Sequence, residues 1–288
     1  MLRRSLLFLP GNNPGMLQTA SILGADGVIL DLEDAVSLTE KDSARILVRE
    51  AIKNMDFSEV ELFIRINPMD GIYGEEDIRT VAPLKPDTLL IAKADEESLI
   101  KASSLLDSIE EEYSMEKGSI KLMALIETAY GVENVYSIIK SSDRVNGVLF
   151  GAEDYTADLG IKRTKVGEEI FYARNKIATA CRALKISSID TPFTDTEDYQ
   201  GLKQDTLNGK RLGMTGKAAI NPRQIESIHE VFAPSQDEIN YALRVLNAVE
   251  KAEKEGKGVF ALDGKMVDAP IIARARNTAE LAKTLGLI

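Results

Sequence analysis

The stretch GAEDYTADLG, residues 151–160, follows a short apolar run at 148–150 and puts Glu153 and Asp154 where a strand gives way to a loop. Upstream the pattern recurs: residues 122–126 are apolar and the run ends on Glu127. Parallel strands that each end in a carboxylate aim both carboxylates at one point. Oxygen ligands at fixed positions, with few basic neighbours, suit a hard divalent cation, Mg²⁺ before Ca²⁺. Each carboxylate taken singly also suits an acidic N-cap of the helix that follows. Their recurrence at the same end of successive strands favours a site.

A third candidate is Arg65, in FIRIN. Alternation puts Phe63, Arg65 and Asn67 on one face of a strand and Leu62, Ile64 and Ile66 on the other. A buried arginine is costly unless paired. Its partner is either an acid of the DLED stretch, Asp31 to Asp34, or a substrate carboxylate held in the guanidinium fork, and the two roles are compatible. The DLED acids in turn read as turn caps, or as support for a metal and for Arg65.

Composition narrows the chemistry. The chain has 288 residues, 44% of them hydrophobic, enough for a sizeable core. A formal charge of −11 argues against a nucleic-acid partner. Cys181 is the only cysteine and His229 the only histidine. A disulfide framework, a cysteine metal cluster, a histidine-rich zinc site and serine–histidine chemistry are therefore all out of reach. Cys181 reads as a core residue and His229 as a helix-surface residue. Arg3 and Arg4 precede an apolar run, 6–9, that is too short for a signal peptide and stops at Pro10-Gly11. No window holds the roughly 18 uninterrupted apolar residues of a membrane span. The expectation is a soluble, cytoplasmic protein.

These residues need elements to position them. Short apolar runs at 5–9, 28–30, 62–66, 88–92, 121–126 and 148–150 read as strands, and the segments 187–190 and 211–214 complete the series as a seventh and an eighth. Helical spacing fills the intervals at 16–23, 39–54, 78–81, 96–112, 132–140, 168–184 and 198–208. Strict alternation predicts parallel strands with crossover helices, and eight such units fit a closed (β/α)₈ TIM barrel over residues 1–233. No Gly-x-Gly-x-x-Gly follows the first strand, and Gly216-Lys217 lacks the P-loop spacing. Residues 234–288 are expected to form a C-terminal helix and lid extension: a long helix at 236–254, a segment marked by Gly256, Gly258 and Gly264, and a closing helix at 270–285.

In such a barrel the active site lies at the carboxyl ends of the strands. Asp31, Glu33, Arg65, Lys93, Glu127, Glu153, Asp154 and Asp190 punctuate those ends and are expected to meet at one rim. Lys93 suits a Schiff-base enzyme. Neighbouring carboxylates would keep its ammonium charged, which favours the metal route.

The motifs LFLPGNNP after Arg4-Ser5, DLEDAVSLTEKDSAR, FIRIN, ALIET, GAEDYTADLG, FYARNKI, GKAAINPRQIE and DGKMVDAP run in order over nearly the whole chain. Together they resemble the β subunits of bacterial citrate lyases, among the HpcH/HpaI aldolase-like CoA-ester lyases. The resemblance implies a Mg²⁺ enzyme with Glu127 and Asp154 as metal ligands and Arg65 and Glu127 as substrate contacts. Asp268, in the MVD triplet, matches an acid that relatives bring from the C-terminal lid of a neighbouring subunit in a homotrimer. The implied reaction is retro-aldol cleavage of a citryl thioester to oxaloacetate and an acetyl thioester, the work of a carbon–carbon (oxo-acid) lyase. Metal on the substrate's hydroxyl and carboxylate would ease loss of the hydroxyl proton. Arg65 would hold a carboxylate of the oxaloacetate half. Proton traffic needs a carboxyl group of suitable pKa, with Asp268 first and Glu33 second. The implied partners are an acyl carrier protein (γ subunit) or CoA bearing the thioester, and a citrate CoA-transferase α subunit. Relatives acting on malyl-CoA or citramalyl-CoA commonly carry a histidine at the position of Asn221, whereas AINPRQ resembles the citrate branch. The alternatives are a lyase of those free CoA esters and a non-catalytic scaffold, which would not need Arg65, Glu127, Asp154 and Asp268.

Overall fold

Eight strands pair in parallel in chain order: β1 (Ser5–Pro10), β2 (Gly27–Asp31), β3 (Glu61–Ile66), β4 (Thr88–Ile91), β5 (Lys121–Ile126), β6 (Val145–Phe150), β7 (Ser187–Asp190) and β8 (Gly216–Ala219). β8 returns to β1 and closes a barrel. The structure, a computed structural model, describes residues 2–254 and 260–288. The crossover helices are α1 (Pro14–Thr19), α2 (Lys41–Asn54), α3 (Gly74–Val81), α4 (Glu96–Glu112), α5 (Ala129–Lys140), α6 (Ala152–Asp158), α7 (Phe171–Leu184) and α8 (Tyr199–Leu212), with α9 (Ile225–Phe232) after β8. The expected (β/α)₈ barrel is the fold.

The period of two along each strand decides what the barrel holds. Leu6, Ile29, Phe63, Leu90, Met123, Leu149, Ile189 and Ala218 pack inside it, with Phe8, Ala92 and Leu125 two residues further along their strands. One more step of two from Ile29, Phe63, Leu125, Leu149 and Ile189 gives Asp31, Arg65, Glu127, Gly151 and Thr191. The apolar interior thus changes to a polar layer at the carboxyl ends. At the other end Arg3 crosses the Phe63 ring at 5.5 Å and donates to both Glu61 carboxylate oxygens at 2.8 and 2.6 Å.

Two expectations change here. The eighth strand is Gly216–Ala219, and not 211–214. Arg211 and Leu212 close α8, and Gly213 ends that helix in the left-handed region at φ 100°. The true strand, GKAA, has no β-branched or aromatic residue to announce it. His229 is not a free surface residue either. Its Nε2 lies 2.7 Å from Ser5 Oγ and 3.6 Å from Asp26, and burial pushes its pKa down. Cys181 is buried as expected, and burial raises its thiol to about 12.

The chain divides into two compact units, residues 1–229 and 230–288. The second contains α10 (Gln236–Lys254), a hairpin of β9 (Phe260–Leu262) and β10 (Lys265–Val267), and α11 (Ala269–Thr284). Asp263 and Gly264, at φ 51° and 76°, make the two-residue turn. Val267 and Leu262 pack with Val245, Leu246, Val249 and Ile271 in a small core of this unit, while Met266 stays exposed. Gly256 and Gly258 lie outside the described residues. No described helix is long and apolar enough to cross a membrane.

Candidate active site

Arg65 and Asp31 stand opposite each other in the β2–β3 register. Arg65 Nε and Nη2 donate to the two Asp31 oxygens, each at 2.6 Å. Asp31 also accepts from the N–H of Glu33 at 2.8 Å and of Ala35 at 3.1 Å, so it ties the DLED turn to the strand. The bidentate edge of Arg65 is therefore committed inside the protein. The remaining nitrogen, Nη1, lies 2.9 Å from Glu33 Oε2. Behind this turn the buried Lys41 donates to the carbonyls of Leu32 and Glu33 at 2.8 and 2.6 Å. Burial lowers the Lys41 pKa while the surrounding acids raise it, and the balance is downward.

Glu127 follows β5 and Asp154 lies in the first turn of α6. Neither is an N-cap. Thr128 caps α5, accepting from the Gly131 N–H at 3.0 Å, and Gly151 occupies the cap of α6. Glu127 is 3% exposed, and its Oε1 accepts from the Lys93 N–H at 2.8 Å. Lys93 adopts a left-handed backbone, φ 47°, unusual for a residue with a side chain and typical of strain held at a working site. Its contribution is this amide, and its exposed side chain is not drawn into the polar layer. Among the described residues no hydrogen bond or ion pair engages the half-buried Asp154 carboxylate. Phe8, Arg65, Glu127, Asp154 and Thr191 share a recess of about 120 Å³.

One guanidinium faces Asp31, Glu33, Glu127 and Asp154, so negative charge is in excess. Burial, reinforced by Asp154 and Glu33, lifts Glu127 to about 8 against the pull of the Lys93 N–H and Arg65. Burial likewise lifts Glu33 to about 7, although Arg65 lies beside it. Burial outweighs the pull of Arg65 there, and the neighbouring Asp34 charge adds to the upward shift. A divalent cation would remove the repulsion. No group of three or more His, Cys, Asp or Glu side chains forms a protein-only cage among the described residues. Two carboxylates, with other positions left to water and substrate oxygens, are how Mg²⁺ is usually held, so the residues fit it.

The barrel thus brings together Glu33, Arg65, Glu127 and Asp154. Asp268 belongs to the second unit, where its carboxylate accepts from the Ile271 N–H at 3.3 Å and caps α11. Asp190 does not join the polar layer. It points outward to Arg174, which donates to it at 2.9 and 2.8 Å. Glu153 is exposed, 3.8 Å from Arg163. Sequence reasoning missed Thr191 and Lys217. The signal for Thr191 was alternation past Ile189, which puts Asp190 outside and Thr191 inside.

A parallel barrel with an acidic pair and an arginine at its carboxyl rim defines a class: metal-assisted enzymes acting on small oxygen-rich substrates. Residues 4–222 match HpcH/HpaI aldolase/citrate lyase. Over 288 residues the chain is 42% identical to the citrate lyase subunit beta of Leuconostoc mesenteroides subsp. cremoris, spanning 100% of this chain and 95% of that one. Its structure is similar to protein CitE from Mycobacterium tuberculosis in complex with magnesium, acetoacetate and coenzyme A, with TM-score 0.81, 27% identity and 98% of both chains covered. It is also similar to a citrate lyase beta subunit from M. tuberculosis complexed with oxaloacetate and magnesium, with TM-score 0.68, 26% identity, and 81% of this chain and 98% of that one covered. The chain belongs to the HpcH/HpaI aldolase/citrate lyase family, and it is a carbon–carbon lyase.

Proposed function

We propose that this chain is the Mg²⁺-dependent β subunit of a citrate lyase, cleaving a citryl thioester to oxaloacetate and an acetyl thioester. The observation that carries the reading is the buried Glu127 carboxyl sharing one recess at the strand ends with Asp154 and Arg65. Ionising both carboxylates in that recess is costly unless a cation answers them. Bound Mg²⁺ supplies Lewis-acid polarisation of substrate oxygens. Glu127 and Asp154 hold it, and Glu127 also contacts the substrate. Arg65 Nη1 fixes a carboxylate of the oxaloacetate half, with Asp31 keeping the guanidinium in place.

Proton traffic to the departing enolate falls to Asp268 of a neighbouring copy in a homotrimer. Glu33 is the second reading, favoured by its place beside Arg65 and a pKa near working pH. The thioester arrives on an acyl carrier protein, the γ subunit, or on CoA, and a citrate CoA-transferase α subunit supplies it, all in the cytoplasm. A groove of about 420 Å³ lined by Met69, Lys93, Ser98 and Lys101 offers room for the carrier arm.

The test is product analysis with Mg²⁺ and citryl-CoA, malyl-CoA or citramalyl-CoA in turn. Oxaloacetate from citryl-CoA, with little cleavage of the others, is expected. Preferential glyoxylate or pyruvate release would move the assignment to a related CoA ester, and silence with all three would favour a scaffold.

A further inference from the structure

The short helix that carries Asp154 begins on a glycine for a steric reason. A Cβ at Gly151 would lie 2.7 Å from both Cβ and Oε2 of Glu127. The cap of α6 therefore has no side chain, and the hydroxyl or carboxylate that usually takes the N–H of the second or third helical residue is ruled out by Glu127 itself. The N–H of Ala152, first residue of α6, is buried and still needs an acceptor. It finds one just past the end of β7: Ala152 N donates to Thr191 Oγ1 at 3.1 Å.

Thr191 is braced in turn. Its carbonyl accepts from Lys217 Nζ at 2.7 Å. That ammonium is 0% exposed, and its other two donations go to Asp205 Oδ2 at 2.6 Å and Asp190 Oδ2 at 3.2 Å. Arg174 bonds the same two carboxylates from α7, at 2.7 Å to Asp205 and 2.8 Å to Asp190. With all three protons committed the lysine has one orientation. Two charges of each sign close the network, so it neither lacks a partner nor spares one.

We propose that Thr191, held by Lys217, is a positioning residue for the metal pair: from the end of the adjacent strand it takes the first N–H of α6 and sets where Asp154 stands against Glu127. The proposal rests on the reading of those two carboxylates as Mg²⁺ ligands.

Calorimetric titration of the full-length protein with Mg²⁺ alone, at pH 8 and without substrate, tests it. Thr191→Val keeps the shape and removes the acceptor. Its Kd for Mg²⁺ should rise about tenfold, the usual scale for a residue that supports a metal ligand. Thr191→Ser restores the hydroxyl and should bind within about threefold of the parent. Asp154→Asn is the control and should bind weakest. Parent-like Mg²⁺ affinity in Thr191→Val, with Asp154→Asn impaired, overturns the positioning role, and a lowered melting temperature at that unchanged affinity assigns Thr191 to stability alone. Parent-like affinity in Asp154→Asn overturns the metal reading first, and the role of Thr191 with it. If Thr191→Val does not fold, Thr191→Ala, which leaves room for water on the Ala152 N–H, carries the same expectation.

Discussion

Glu127 keeps its proton to about pH 8 in the folded chain, whereas the ordinary value is 4.5. Between those values the folded state binds more protons than the unfolded state, so this group makes the metal-free protein less stable as pH rises. Mg²⁺ needs the carboxylate, so its affinity strengthens over the same span. Without metal, Glu127→Gln should therefore melt above the parent at pH 8, with the gap closing towards pH 5, and it should lose Mg²⁺ stabilisation and turnover. Melting curves of both proteins across that range, with and without Mg²⁺, check this; a gap independent of pH would contradict the raised pKa. Arg65 gives a second expectation. Its fork binds Asp31 through two nitrogens while Nη1 lies against Glu33, and the residue lines the recess. Lysine cannot do both, so Arg65→Lys should lose stability and turnover together. Melting temperature and rate per folded molecule, measured side by side, separate the two effects, and a stability loss alone would confine Arg65 to structure.

At the scale of elements, the pressure point is where α6 leaves β6. Gly151→Ala inserts a methyl group 2.7 Å from Glu127 Cβ and Oε2. Overpacking of this kind costs about 1–3 kcal/mol, and here it also moves a candidate ligand. Turnover should fall well beyond what a thermal-melt loss of that size explains, and a fully active variant would show that the site tolerates displacement. The buried charge network predicts a different signature. Lys217→Met leaves Asp190 and Asp205 with Arg174 alone and should cost about 3–5 kcal/mol, read by denaturant titration.

Much of this was legible in the sequence, because six of the eight strands are bounded apolar runs and period-two alternation forecast Arg65 on the same face as Phe63. β8 was not, because its small residues and buried lysine carry no strand signature. The helical character of α6 was hidden too: its cap is Gly151, with no side chain, and the acceptor for its first N–H is Thr191, far away in the chain. Long-range partners of that kind leave no local periodicity to read.

For the whole molecule, the proposed trimer makes a sharp demand. If Asp268 serves a neighbour's site, Asp268→Asn should stop cleavage while Mg²⁺ and substrate still bind. Mixing dissociated Asp268→Asn and Glu127→Gln chains should then recover part of the activity, because some sites in mixed assemblies pair two intact acids. Mixtures as inactive as their parents, with subunit exchange verified, would return Asp268 to its role as the cap of α11, worth about 1 kcal/mol. Arg3 and Glu61 plug the amino-terminal end of the barrel, and apolar layers fill its middle. Among the described residues this leaves the strand ends as the way in and out. A cleavage that makes two molecules from one then has a queue at a single door. If Arg65 grips the oxaloacetate half as proposed, the fragment nearer the opening would depart first and oxaloacetate would wait behind it. Oxaloacetate should accordingly compete with substrate for the free enzyme, while the thioester product should give mixed inhibition.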